Sequence, residues 1–301
     1  MPPAEQVRPH ILTPAGLRDW PLPMPDGHKS SRGRVLVIGG ARSAPGAAML
    51  AGQAALRVGA GVLTLAVGES VAGPVAAAVP EAGVLWLPET ATGSVAGGSI
   101  EAVRRALDGA AAILIGPGLD DIDETVELIT GLLPELAEDL PIVLDAYAIG
   151  ALGHLPQSAV DALRDRLVLT PNSTEVDRLL EAAGESGEAT GGAGDGDPRQ
   201  RLAGRYAAVL SSDNEIVTPA GERWQAPAGH SGLGTSGSGD VLAGALVGLL
   251  ARGVPLAQAA CWATYLHAAS GDRLAARVGS LGFLARELLD QLPLVLTELQ
   301  A

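Results

Sequence analysis

The sequence predicts an α/β fold with a mostly parallel central sheet flanked by helices on both faces. Short apolar runs such as 35–38 are continuous rather than alternating, which is typical of strands buried on both sides. Glycine or proline ends several of these runs, as at Gly39-Gly40 and Gly116-Pro117-Gly118. Helical patterns separate the runs, and this alternation indicates parallel strands joined by crossover helices.

The apolar runs predict the strands in chain order. They cover 35–38, 62–67, 84–87, 112–115, 142–145, 167–170 and 206–210. Pro219-Ala220-Gly221 then separates two further runs, 215–218 and 222–225, which favours a hairpin. The predicted helices lie between and after the strands. They cover 46–58, 100–107, 124–133, 173–182, 239–252, 256–271 and 281–291. Asn172 and Glu175 fit a capping box at the start of the helix 173–182.

Two segments lack a regular pattern. Residues 1–30 predict an irregular lead-in, in which Thr13-Pro14-Ala15 suits the start of a short helix. Residues 184–197 are rich in Gly, Glu and Ala and predict a mobile surface loop. The lead-in has no apolar stretch typical of a signal peptide, so we expect a cytoplasmic protein. Because the chain shows no internal repeat and one contiguous core, we expect 1–301 to form a single domain.

Charge and composition exclude several classes of function. The formal net charge is -14, which makes nucleic acids and anionic membranes poor partners. The longest apolar stretch, 241–251, is too short to span a bilayer. Lys29 is the only lysine, which excludes a Walker A loop. Cys261 is the only cysteine, which excludes an internal disulfide and a cysteine zinc cluster and is typical of a buried thiol.

The segment from Gly232 to Asp240 is the strongest candidate for a ligand site. Glycines permit a backbone with positive φ that turns several N–H groups toward one point. The helix that follows adds its own unpaired N–H groups and the positive end of its dipole. An anion can therefore bind there without a lysine. Asp240 is suited to act as a general base toward a substrate hydroxyl, or simply to cap the helix, and the local pattern leaves both roles open.

Other candidate positions follow the predicted strands. Gly39 to Gly46, Gly116 to Gly118 and Asp145-Ala146-Tyr147 lie at strand ends, the edge where open α/β sheets bind ligands. Tight strand-to-helix turns would explain the same residues. His230 adjoins the glycine segment and is a candidate ligand contact. The five histidines do not have the spacing of metal ligands, and the sequence shows no cluster of metal-ligating residues.

A series of motifs runs along the chain in a recognisable order. They are Gly39-Gly40 with Pro45-Gly46-Ala47, Ala55 to Gly61, Gly116-Pro117-Gly118-Leu119, Leu169-Thr170-Pro171, and Gly237-Ser238-Gly239-Asp240 with Val241 to Gly244. The series resembles the ADP-dependent NAD(P)H-hydrate dehydratases, carbohydrate-kinase-like members of the ribokinase superfamily. The resemblance covers about residues 29–291 and implies a ribokinase-like fold.

The resemblance also implies a function in the repair of hydrated NADH or NADPH. ADP, or alternatively ATP, would donate a phosphoryl group to the ring hydroxyl, and loss of phosphate would restore the nicotinamide double bond. Asp240 would activate that hydroxyl, and Gly239 with its neighbours Gly237 and Ser238 would hold the nucleotide phosphates. Ala47 and Gly118 would line the hydrate pocket. Mg²⁺ is expected with the nucleotide because it commonly bridges phosphates, and the resemblance suggests a homo-oligomer.

The chain departs from the family pattern at several of these contacts. Asn172 replaces the histidine of Pro-His-Pro-Gly-Glu, and His230 replaces the asparagine of Gly-Asn-x-Gly, both on the substrate side. Ser211 replaces the lysine of Lys-Gly-x-x-Thr, followed by Ser212, both on the nucleotide side. Tyr147 replaces the second acid of Asp-Ala-Asp. A lost lysine is expected to weaken the binding of a polyanion.

Three functions remain open on the sequence alone. The first is the hydrate dehydratase, and the second is a kinase of a small hydroxylated metabolite. The third is a non-catalytic nucleotide-binding protein. Retention of Asp240 favours the first two, whereas the serine at position 211 favours the third.

Overall fold

The computed structural model describes residues 8–24, 27–185 and 196–301. Within them, a 10-stranded sheet runs through the molecule. Its strands are β1 (His10–Ile11), β2 (Arg34–Ile38), β3 (Val62–Gly68), β4 (Ala82–Leu87), β5 (Ala112–Ile115), β6 (Ile142–Leu144), β7 (Leu167–Leu169), β8 (Ala208–Ser212), β9 (Glu215–Val217) and β10 (Arg223–Gln225).

The strand order across the sheet is β1-β10-β9-β8-β7-β6-β5-β2-β3-β4. All pairings from β8 to β4 are parallel, and β9 is antiparallel to both of its neighbours. The predicted mostly parallel sheet and the predicted hairpin are therefore confirmed.

Helices cover both faces of this sheet. They are α1 (Pro14–Arg18), α2 (Pro45–Arg57), α3 (Glu69–Ala78), α4 (Ile100–Leu107), α5 (Ile122–Leu132), α6 (Tyr147–Leu152), α7 (Gln157–Leu163), α8 (Ser173–Ala182), α9 (Pro198–Tyr206), α10 (Ser238–Ala251), α11 (Leu256–Arg277) and α12 (Ala285–Gln300). One hydrophobic core contains the buried side chains of α1 to α3 and α10 to α12. The other contains those of α4 to α9.

Strand β2 shows why continuous apolar runs form the centre of the sheet. Val35 and Val37 belong to one core, whereas Leu36 and Ile38 belong to the other. Successive side chains of a strand point to opposite faces, so a strand covered by helices on both sides needs apolar residues at every position.

Small residues let α2 and α10 pack closely. A Cβ atom on Gly244 would lie 2.1 Å from the carbonyl oxygen of Ala51, so any side chain at position 244 would collide with the α2 backbone. Only 3% of the residues are aromatic, and the core is accordingly dense with alanine, valine and leucine. This packing places the start of α10 beside the N-terminal half of α2.

Several predicted boundaries are wrong, among them the end of the helix predicted over 256–271, which continues to Arg277. The strand predicted over 206–210 begins at Ala208, because Tyr206 ends α9 and Ala207 takes a left-handed conformation with φ 47°. The helix predicted over 281–291 begins at Ala285 and continues to Gln300 despite Pro293 within it. A proline removes one backbone donor, but tertiary packing of α12 on the core outweighs this loss.

The sequence patterns did not indicate α3, α6, α7 and α9. Helix α3 consists largely of small residues and contains Pro74, so its amphipathic signal is weak. The lead-in is more regular than predicted, because β1 pairs with β10 in parallel and Thr13 Oγ1 accepts a hydrogen bond from Gly16 N at 3.1 Å. The loop predicted over 184–197 falls mainly on 186–195, which lie outside the described residues. In the described parts, no helix is long and apolar enough to cross a membrane.

Candidate active site

The strand order reverses between β2 and β5, and in open α/β sheets such a reversal forms a crevice at the carboxyl ends of the strands. Chain segments after β2 continue to β3 and β4 on one side, whereas β5 to β8 extend the sheet on the other. Such a switch point is where open α/β sheets bind ligands. The loops after β2 and β5 meet there, since Gly40 N donates to the Pro117 carbonyl at 2.8 Å and Ala41 N to the Gly118 carbonyl at 2.8 Å.

Gly118 and Ala47 are neighbours in this crevice, as expected for residues that line one pocket. Gly118 has φ +75°, and a Cβ atom on it would lie 2.2 Å from the Ala44 carbonyl oxygen and 3.2 Å from Ala47 Cβ. Both the backbone conformation and the close approach therefore require glycine at this position. Ala47 lies in the first turn of α2.

The start of α10 presents unpaired N–H groups to open space. Gly237 precedes the helix in a left-handed conformation with φ 89°, and no side chain caps the helix. The N–H groups of Gly239 and Asp240 have no hydrogen-bond partner in the described residues. A Cβ atom on Gly239 would meet nothing within 4 Å. An anion can approach these donors directly at the positive end of the helix.

The α10 turn and the crevice adjoin each other through Leu50 of α2. A Cβ atom on Gly237 would lie 2.6 Å from Leu50 Cδ1 and 3.9 Å from Asp240 Oδ2. Leu50 lies one turn after Ala47 in α2. The structure thus brings the predicted anion site, the catalytic candidate Asp240 and the predicted pocket residues Ala47 and Gly118 to one edge of the sheet.

Three carboxyl groups at this edge have raised pKa values. Burial, with repulsion from Asp145 as the smaller cause, raises the pKa of Asp240 to about 7. Burial raises the pKa of Asp145 to about 6, against the opposing effect of a hydrogen bond from Thr170 Oγ1 at 2.7 Å. Burial also raises the pKa of Glu175 to about 6, with Asp145 contributing. Clustered carboxyls with raised pKa values are a property of catalytic sites.

The backbone after β6 is unusual at the same edge. Ala146 has φ 50° and ψ -121°, a conformation that side chains disfavour, and it connects Asp145 to α6. Strained residues persist where the surrounding structure imposes them, and they cluster at functional sites. The strain supports the assignment of this edge as the active site.

Comparison with known proteins identifies the family. A family model described as NAD(P)H-hydrate dehydratase matches residues 35–294. The chain belongs to this family. It is 40% identical to the ADP-dependent (S)-NAD(P)H-hydrate dehydratase of Xanthomonas campestris over 97% of the chain and 98% of that relative. It is 37% identical to the bifunctional NAD(P)H-hydrate repair enzyme of Moorella thermoacetica over 96% of the chain, but spans only 54% of that longer protein.

Solved structures agree with the family assignment and with the ribokinase-like fold. A ribokinase-like superfamily protein from Enterococcus faecalis matches with a TM-score of 0.79 and 26% identity, covering 97% of each chain. The ADP/ATP-dependent NAD(P)H-hydrate dehydratase of Bacillus subtilis, co-crystallised with ATP and Mg²⁺, matches with a TM-score of 0.71 and 26% identity. The match covers 97% of this chain and 99% of that one.

The serines that replace the lysine motif of the dehydratase family are both buried. Ser211 Oγ lies 2.8 Å from Thr264 Oγ1 of α11, so its hydroxyl already has a partner. Ser212 Oγ is buried with no hydrogen-bond partner. Neither side chain is open to solvent, and their contact with nucleotide stays a prediction.

Two predicted substrate residues make local contacts. Asn172 Oδ1 accepts a hydrogen bond from Glu175 N at 3.0 Å, and Glu175 Oε2 accepts from Asn172 N at 2.9 Å. The predicted capping box is therefore confirmed. His230 Nδ1 accepts from Gly232 N at 3.2 Å, so it shapes the start of the glycine segment. A direct contact of either residue with substrate stays a prediction.

Residues that complete the site come from distant parts of the chain. Thr170 bonds to Asp145, and His267 Nε2 lies 2.8 Å from Ser238 Oγ. No local pattern could single out His267, because a histidine in an apolar helix is usually a core residue. Thr170 could have been found from the sequence, because it ends a predicted strand at the edge of the sheet where ligands bind.

Proposed function

We propose that this chain is an ADP-dependent (S)-NAD(P)H-hydrate dehydratase, which restores NADH or NADPH from its hydrate. The observation that carries the proposal is the position of Asp240, a carboxyl with pKa about 7 in the same helical turn as unpaired N–H groups. Likeness to the Xanthomonas relative over almost the whole of both chains supports the same activity.

In the proposed reaction, the N–H groups of Gly239 and Asp240 bind the phosphates of ADP, together with Gly237 and Ser238. Asp240 accepts the proton of the hydrate's ring hydroxyl as its oxygen attacks the terminal phosphorus, and AMP leaves. Departure of phosphate from the ring, with loss of a ring proton, restores the double bond. A pKa near neutrality allows Asp240 to be ionised before the transfer and protonated after it.

The hydrate would occupy the crevice lined by Ala47 and Gly118. The Asp240 carboxyl lies near both α2 and the turn before α10, because a Cβ atom on Gly237 would be 2.6 Å from Leu50 Cδ1 and 3.9 Å from Asp240 Oδ2. Asn172 and His230 are proposed to lie at the edges of the bound substrates. Their side-chain acceptors are engaged locally, so they would shape the site rather than carry charge.

The oxygen ligands at this edge fit Mg²⁺, which the Bacillus relative was crystallised with. No group of three His, Cys, Asp or Glu side chains able to hold a metal occurs in the described residues. Mg²⁺ usually keeps several waters and binds through one or two carboxylates plus substrate phosphates. Asp145 and Glu175 would supply such carboxylates, and the ion would neutralise charge on the phosphates.

The experiment that tests the proposal supplies prepared NADH hydrate and ADP and follows the absorbance of NADH. We expect NADH to form with one AMP per NADH, and Asp240→Asn to lower turnover by about 10²–10⁴-fold. ADP should still bind to Asp240→Asn, as calorimetry would measure. Nucleotide consumption with a phosphorylated product and no NADH would instead identify a kinase. Absence of any turnover alongside intact ADP binding would identify a non-catalytic protein.

A further inference from the structure

His267 lies deep in α11 and contacts the turn that begins α10. Its Nε2 atom is 2.8 Å from Ser238 Oγ, and both residues are almost fully buried, with 7% and 3% of their surface exposed. A buried polar contact between two elements is retained only when both groups are satisfied. Nothing in the proposed reaction uses the imidazole directly.

Few other hydrogen bonds hold the turn around Ser238 at the start of α10. Ser238 N donates to the Thr235 carbonyl at 3.2 Å, and among the described residues no side chain caps α10. Gly237 before Ser238 and Gly239 after it are conformationally permissive. The Ser238 side chain is therefore a polar anchor between two glycines, and its orientation affects that of the adjoining N–H groups.

The imidazole acts as a neutral group. Burial lowers the pKa of His267 to about 4, against the smaller opposing effect of a hydrogen bond to the Ser238 backbone. A neutral imidazole carries one donor and one acceptor, so it bonds a hydroxyl without adding a charge. The histidine thus anchors the turn without serving as a cation for the phosphate.

We propose that His267 is a positioning residue, which holds Ser238 so that the unpaired N–H groups of the first turn of α10 face the nucleotide phosphate. The inference rests on the proposed nucleotide site. It assigns a role in ADP binding to a residue that touches neither ADP nor the hydrate. A substitution of His267 should therefore change ADP affinity only through Ser238.

The test measures ADP affinity by calorimetry on His267→Ala, His267→Gln and Ser238→Ala. We expect His267→Ala to weaken ADP binding by about tenfold, or about 1.4 kcal/mol. His267→Gln should recover most of the affinity, because its amide N–H reaches a similar place. In a Ser238→Ala background, His267→Ala should have little further effect, since residues that act through one contact are not additive.

Gln258→Ala is the matched control. Gln258 is also buried in α11, and its Nε2 donates to the carbonyls of Trp20 at 2.9 Å and Pro21 at 3.0 Å, far from the turn. It should lower the melting temperature with unchanged ADP affinity. Equal ADP affinity in folded His267→Ala and wild type, or failure of His267→Gln to restore it, would overturn the inference. If the variants change ADP affinity as expected but the wild-type protein forms no NADH, only the proposed function is overturned.

Discussion

Asp145 at the end of β6 repels the carboxylate of Asp240 in the first turn of α10, which adds to the larger effect of burial in raising the pKa of Asp240. In the described residues neither acid forms an ion pair. A nearby carboxylate adds to the free-energy cost of ionising a buried acid. Burial and this repulsion together determine the protonation state of the proposed general base, and its pH dependence follows from them.

The first prediction concerns the pH profile of NADH formation. A general base is active when ionised, so kcat/KM should rise with pH through a midpoint of about 7, the pKa of Asp240. Asp145→Asn removes the neighbouring charge and should move the midpoint to lower pH. The profiles of both proteins at saturating ADP would measure this shift. An unmoved midpoint would mean that Asp145 does not act on Asp240.

The second prediction concerns stability. The pKa of Asp240 is raised on folding, so the folded state holds a proton that the unfolded chain releases above about pH 4. Stability should therefore fall as pH rises from about 4 to about 7. Asp240→Asn removes the part of this dependence that Asp240 contributes, whereas Asp145 and Glu175 keep theirs. The variant should be more stable than wild type at pH 8 by about 1–2 kcal/mol, or several degrees in Tm. Thermal unfolding of both proteins at pH 5 and 8 measures the difference.

Asp108→Asn is the control for that prediction. Asp108 is exposed at the end of α4, far from the site, and should leave the pH dependence of Tm unchanged. If Asp240→Asn and wild type lose stability equally between the two pH values, another group causes the loss.

The third prediction separates two glycines of the anion site. Gly237→Ala should destabilise the protein by about 1–3 kcal/mol, because φ is 89° and the new Cβ would lie 2.6 Å from Leu50 Cδ1. Gly239→Ala should leave stability unchanged or raise it by up to about 1 kcal/mol, since its Cβ meets open space in a helix.

Gly239→Ala should nevertheless weaken ADP binding, because the methyl group enters the space proposed for the phosphate. Melting temperatures and ADP titrations of both variants provide the comparison. Full ADP affinity in Gly239→Ala would argue that the phosphate docks elsewhere.

The fourth prediction concerns the lysine that the family pattern places at position 211. Ser211→Lys should tighten ADP by about tenfold, or roughly 1.4 kcal/mol, by restoring a positive charge. It should also lower stability by about 2–4 kcal/mol, because the hydrogen bond between Ser211 and Thr264 is lost and a longer side chain must fit a buried position. Calorimetry with ADP and thermal unfolding measure the two effects.

Ser211→Met is the matched control, with similar length and no charge. It should share the loss of stability without the gain in affinity. If ADP binds more tightly to both variants, side-chain length explains the effect. If ADP binds more tightly to neither, the absence of a lysine at position 211 does not weaken nucleotide binding.

Features that depend on residues close together in the chain could be predicted before the fold was known. Continuous apolar runs predicted the parallel strands, because a strand covered on both faces needs apolar side chains at every position. Asn172 and Glu175 predicted a capping box that the structure contains. The glycines around Ser238 predicted the turn before α10, because they permit its left-handed backbone.

Features that join distant segments arise from the packing of the folded chain. It brings Asp145 beside Asp240, seats His267 against Ser238, and buries Ser211 against Thr264. It also forms helices such as α3, whose small residues and internal proline give little local signal. A side chain's pKa and hydrogen-bond partners depend on burial and on neighbours from other strands and helices, and those arise only when the chain packs.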